Sequence, residues 1–121
     1  MRTLTLLAAG LALALTACSS PTALESAELG ETVNVSRFGN IYLAGQPSPE
    51  AFELAAEMGV EKVVNIRRPQ EQADWNEGAH VESCGMEYVQ VPWGGPDQLT
   101  DEVFDAYREI LESADEPLLL H

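Results

Sequence analysis

Residues 48–67 read SPEAFELAAEMGVEKVVNIR, and the fold is decided in this stretch. Ser48 offers a side-chain oxygen to cap a helix, Pro49 suits the first helical position, and Glu50 puts a carboxylate in the first turn. Phe52, Ala55, Ala56 and Met58 carry the helix forward, and Gly59 is a C-terminal stop. Val60 and Val63-Val64-Asn65-Ile66 follow at once, rich in β-branched residues, so this strand is predicted to be buried on both faces.

Working outward, Val33–Val35 and Ile41–Leu43 are predicted as two short strands joined by a turn around Phe38-Gly39-Asn40. Gln70 to about Cys84 is polar and weakly helical, interrupted by Gly78, and Met86–Val91 alternates into another strand closed by Pro92. Thr100 can cap a further helix, with Asp101 and Glu102 in its first turn. Its apolar positions, Val103, Phe104, Tyr107, Ile110, Leu111 and Ala114, trace a single face. Pro117 breaks that helix and starts Leu118-Leu119-Leu120-His121, which reads as a central buried strand. Alternating strands and helices predict an α/β fold with a mainly parallel central sheet flanked by helices. A central strand is ordinarily followed by a loop and a covering helix, so the chain is read as truncated at His121.

The 121 residues suffice for one domain, and an apolar fraction of 45% allows a core. Twenty Asp and Glu against six Lys and Arg give a formal net charge of −14. Such a surface repels nucleic acid, so no nucleic-acid partner is expected, and any phosphate site must be a basic island in an acidic field.

The N-terminus carries an address. Arg2 supplies a positive start, Leu4–Leu15 is an uncharged run too short to span a bilayer as a mature helix, and Leu15-Thr16-Ala17-Cys18 resembles the bacterial lipobox. Residues 1–17 are therefore expected to be a lipoprotein signal peptide, residues 18–32 a lipidated Cys18 with a loose tether, and residues 33–121 the domain. Ser19 after the cysteine implies, by resemblance, sorting to the outer membrane facing the periplasm, with Cys18 making the membrane contact. An ordinary signal peptide with a chance cysteine is the alternative. The second cysteine, Cys84, has no basic neighbour in sequence and reads as a packed, inert thiol.

Four segments together carry a family resemblance: Ile41-Tyr42-Leu43-Ala44-Gly45-Gln46-Pro47, Val63-Val64-Asn65-Ile66-Arg67, Met86-Glu87-Tyr88-Val89-Gln90-Val91-Pro92, and Leu118-Leu119-Leu120-His121. They resemble, in order, segments of a bacterial branch of the dual-specificity and tyrosine phosphatases, within the cysteine-dependent phosphatase superfamily. The resemblance implies hydrolysis of a phosphate monoester through a phosphocysteine, on a phosphorylated substrate of unknown class and without metal or cofactor. It implies that a nucleophilic cysteine follows His121, opening a Cys-x5-Arg loop that holds phosphate oxygens. That loop is not in these 121 residues: six positions beyond Cys18 is Leu24, and six beyond Cys84 is Gln90. The chain as given is expected to be inactive.

The same resemblance singles out Asp97, in the loop Trp93-Gly94-Gly95-Pro96-Asp97, as candidate general acid, although Pro-Asp is also ordinary turn chemistry. Asp101 competes, but a helix start explains it. Arg67 is the candidate substrate-binding residue at a strand's carboxyl end, or a structural partner of Glu71 or Asp74; Arg37 has a weaker claim. His121 supports the loop by hydrogen bonding, Trp93 covers either the pocket mouth or the core, and His80 reads as a surface helix residue. Two histidines without ligand spacing argue against a metal site. Two other readings stand beside the enzyme: a non-catalytic, lipid-anchored binding domain on a phosphatase scaffold, and a rhodanese-like sulfur transferase, against which the Gly45-Gln46-Pro47 and Val63–Arg67 segments speak.

Overall fold

The sheet takes its first register from a tight turn. In the computed structural model, which describes residues 23–121, β1 (Glu25–Ser26), β2 (Ser36–Phe38) and β3 (Ile41–Leu43) run antiparallel in succession. Gly39, at φ +60°, lets the chain reverse so that Phe38 faces Ile41. This register corrects the strand predicted at Val33–Val35. Pairing dictated by the turn starts at Ser36, while Val35 is buried and Val33 is held only by its carbonyl, which accepts from the Gly45 amide at 2.9 Å. Residues 23–32, expected as tether, contribute β1 and bury Leu29 in the core. The signal peptide, Cys18 and the first tether residues lie outside the described residues.

Beyond the hairpin the sheet is parallel, in the order β1-β2-β3-β6-β4-β5, with β4 at Lys62–Asn65, β5 at Glu87–Gln90 and β6 at Leu118–Leu120. The predicted α/β class with a mainly parallel sheet is thus what the chain forms. Helices α1 (Pro49–Glu57) and α2 (Glu77–Ser83) link β3 to β4 and β4 to β5, crossing in one direction, whereas α3 (Asp101–Glu112) crosses back to β6. Right-handed crossovers in opposite directions place their helices on opposite faces. On the α1–α2 face, Phe52, Ala55 and Val81 pack with Val63 and Leu119. Val63 and Val64 are both completely buried, as a strand covered on both faces requires.

Sequence rules hold at helix starts. Ser48 Oγ accepts from the Ala51 amide at 3.2 Å, and Thr100 Oγ1 from Val103 at 3.3 Å. The helix predicted over Gln70–Cys84 is shorter than its polarity suggested. Pro69–Glu71 forms a separate 3-10 turn, and α2 begins only after Asn76, whose Oδ1 accepts from the Ala79 amide at 3.1 Å. The apolar face of α3 forms as predicted but no residue of the helix is fully buried, and Phe104 is 52% exposed.

Gly78 does not interrupt α2; it lies inside the helix where the chain passes Tyr88. A Cβ there would stand 3.0 Å from Tyr88 Cδ1 and 3.1 Å from Cε1. The ring cannot easily yield, because its hydroxyl donates to Glu77 at 2.9 Å. Gly78→Ala is therefore expected to lower stability by about 1 kcal/mol in urea unfolding, although alanine ordinarily favours a helix interior by about that amount.

Candidate functional site

Strands β4, β5 and β6 run parallel, so their carboxyl ends open at one edge of the sheet, where ligands of open α/β sheets bind. The residues that follow them meet there. Ile66, Arg67 and Arg68 after β4, Trp93, Gly94 and Gly95 after β5, and His121 after β6 line, with Glu71, a cup of about 430 Å³. Backbone bonds fix its floor beyond the strands proper. His121 donates its amide to the Val64 carbonyl at 3.0 Å and accepts from the Ile66 amide at 2.8 Å, and Trp93 donates to the Ile66 carbonyl at 3.0 Å.

The two arginines fare differently. Arg68 grips Glu71 with Nε at 3.0 Å and Nη2 at 2.9 Å, so its charge is answered within the turn. Arg67, for which pairing with Glu71 or Asp74 was the structural alternative, has no ion-pair partner among the described residues, and its Nε is buried without a hydrogen bond. Its backbone is held by the amide donating to Asn65 Oδ1 at 2.9 Å. A guanidinium without an ion pair among the described residues, in a strongly acidic chain, therefore lines the cup.

Beneath the cup lies a polar network that sequence reading missed. Glu77, only 5% exposed, accepts at Oε1 from Gln46 Nε2 at 2.6 Å. At Oε2 it accepts from Asn65 Nδ2 at 2.8 Å and Tyr88 Oη at 2.9 Å, with His121 Nε2 at 3.0 Å. Burial would raise the pKa of this carboxyl, but the hydrogen bonds from His121, Gln46 and Tyr88 and the charge of His121 outweigh it and hold the group at about 2. Burial, with the carboxylate alongside, pushes the Tyr88 phenol up to about 12, so it remains a donor. The signal available in sequence was slight: a glutamate right after a capping Asn76 reads as a helix-start residue, and nothing local says that it points inward.

Other candidates sit apart. Asp97 is exposed in the 3-10 turn Pro96–Gln98; the loop sends Gly94 and Gly95 to the cup, but not Asp97 itself. Asp101 occupies the first turn of α3, as its helix-start reading expects. Trp93 lines the cup, 36% exposed. Arg37, on β2, lies 5.6 Å above the ring of Tyr42 on β3 and donates to the Gly39 carbonyl. His80 is half-buried rather than a surface residue. Its Nε2 is 3.0 Å from the Pro49 carbonyl oxygen, its ring meets Trp75 edge-on, and Cys84 Sγ is 3.8 Å from the same nitrogen.

Solved structures share this architecture. A Shewanella putrefaciens protein of the DUF442 class, described as a candidate phosphatase, is 25% identical with a TM-score of 0.63, over 77% of this chain and 63% of that one. A Pseudomonas aeruginosa protein, TpbA, in complex with phosphotyrosine, is 17% identical with a TM-score of 0.61, over 88% of this chain and 60% of that one. A candidate phosphatase from Neisseria meningitidis is 16% identical with a TM-score of 0.54, over 66% of this chain and 59% of that one. The chain spans less than two-thirds of the length of each. No family model and no curated protein matches it. The fold is thus similar to that of these structures, a cysteine-dependent phosphatase-like fold.

Glu77 makes stability depend on pH in a defined sense. Its folded-state pKa of about 2 lies below the ordinary 4.5, so its contribution is present above pH 4.5 and is lost as pH falls towards 2. At neutral pH that contribution is about 3 kcal/mol. Glu77→Gln is expected to unfold at lower urea concentration than the parent at pH 7, with the two midpoints converging as pH falls towards 2.

Proposed function

We propose that residues 33–121 are the front part of a cysteine-dependent phosphatase that hydrolyses phosphate monoesters. The observation that supports this best is the cup itself, where the ends of three parallel strands bring together an unpaired Arg67 and a buried His121. In the reaction proposed for the whole protein, a cysteine thiolate supplied after His121 attacks phosphorus as the ester P–O bond breaks. An acid protonates the leaving oxygen, and water then cleaves the S–P bond, releasing inorganic phosphate and restoring the thiolate. Arg67 would hold substrate oxygens as charge builds on them. Asp97 keeps its claim as the acid through its place on the loop that lines the cup, and would have to turn inward to act. The substrate is a phosphorylated molecule whose class is open; the phosphotyrosine bound by TpbA makes an aryl phosphate a suitable probe. On sequence alone, we place the protein in the cell envelope, lipid-anchored through Cys18.

The reading is tested by sequencing past the codon for His121 and assaying the gene product on an aryl phosphate. An in-frame Cys, five residues and Arg is expected, with turnover abolished when that cysteine becomes serine. A stop codon, or a loop without arginine at the sixth position, overturns the reading. The exposed position of Asp97 favours one alternative, a non-catalytic anion-binding domain on the same scaffold, which the stop codon would select. On the chain itself, Arg67→Ala is expected to weaken inorganic phosphate binding by about tenfold or more, followed as amide shifts of Ile66, Gly94 and Gly95 in a titration, because a charge-assisted hydrogen bond is worth about 1.5–3 kcal/mol.

A further inference from the structure

His121 is held from several sides. Its backbone bonds to Val64 and Ile66, its ring meets Phe52 edge-on at 5.7 Å, and its Nε2 stands 3.0 Å from Glu77 Oε2. The residue is 5% exposed and lines the cup, yet its Nδ1 is buried with no hydrogen-bond partner among the described residues. Every other group on Glu77 donates to it: Gln46 from the segment before α1, Asn65 from the end of β4 and Tyr88 from β5. An ionised carboxylate has no proton to give, so the ring nitrogen facing it must carry one. The remaining nitrogen of a neutral ring then offers a lone pair, and burial without a donor is costly for such a group.

We propose that Glu77 is the positioning residue of this site. It holds the His121 imidazole in one plane and, in the neutral ring, in the Nε2–H form, so that Nδ1 is then a hydrogen-bond acceptor for an N–H or O–H donor brought to the cup. The inference rests on the phosphatase reading for its purpose: in that reading the donor is a group of the phosphate-binding segment or its substrate. The geometry also explains Gln46, whose Nε2 donates both to Glu77 and to the Pro47 carbonyl at 3.1 Å, locking the carboxylate against the start of α1. Gln46 thereby acts on the cup only through Glu77 and His121.

Long-range nitrogen–proton spectra of the 121-residue chain, recorded at alkaline pH with imidazole labelling, test this. His121 is expected to give an acceptor-type Nδ1 signal and a protonated Nε2 whose proton is resolved and exchanges slowly with water. In Glu77→Met, which has no acceptor, that proton signal is expected to be lost, while Glu77→Asp retains it. An Nδ1–H form in the parent chain overturns the proposal, as does a resolved Nε2 proton that survives in Glu77→Met. If Glu77→Met fails to fold, the parent spectrum and Glu77→Asp still decide. The phosphatase reading fails separately: phosphate shifts that persist in Arg67→Ala would count against that reading and leave the ring assignment standing.

Discussion

Four side chains from four separate segments converge on the carboxylate of Glu77, and the candidate site depends on that convergence. Gln46 lies before α1, Asn65 ends β4, Tyr88 belongs to β5 and His121 follows β6, so one buried anion ties the carboxyl edges of three parallel strands to α1 and α2. A charge buried without such partners would cost several kcal/mol; with all of them present it becomes a joint that holds the surrounding segments at fixed separations. Asn65 extends the joint, donating to Gln72 Oε1 at 2.8 Å and accepting from the Arg67 amide, so the chain leaving β4 is directed into the cup.

The electrostatics of the site follow from what is answered and what is not. Glu71 neutralises Arg68 at the rim, and Glu77 lies below the surface with its lone pairs taken up. Arg67 is left facing the cup in a chain of net charge −14. Against that background a local positive site selects by contrast, since an anion approaching elsewhere meets repulsion.

Much of this was readable from residues whose signals are local. Ser48-Pro49 and Thr100 announced their helices, Val63-Val64 a strand covered on both faces, and Leu118-Leu119-Leu120 a central strand, because capping and runs of consecutive apolar residues are read from near neighbours. The hairpin was displaced because its register comes from Gly39-Asn40 rather than from the valines before it. Arg67 and His121 line the cup because they follow strands, which fixes their edge of the sheet. Glu77 was not legible in the sequence, because its role is defined by partners 31 residues back and 44 residues ahead, and no local pattern marks a glutamate that turns inward. Asp97 shares a loop with Gly94 and Gly95, which line the cup, but a loop's position does not determine the direction of each side chain on it.

The place of β6 has a consequence for how the molecule is made. The final strand of the given sequence lies between β3 and β4 in space, and Asn40 helps seat it by accepting the Leu118 amide at 2.9 Å and donating to the Ala114 carbonyl at 2.8 Å. Until those residues have emerged from the ribosome, β3 and β4 have no strand between them, and each presents an unpaired edge. The hairpin and the β4–α2–β5 unit can form early, but they are joined only once β6 arrives. A partly synthesised chain is thus two fragments with matching open edges, the state in which pairing with another chain competes with folding.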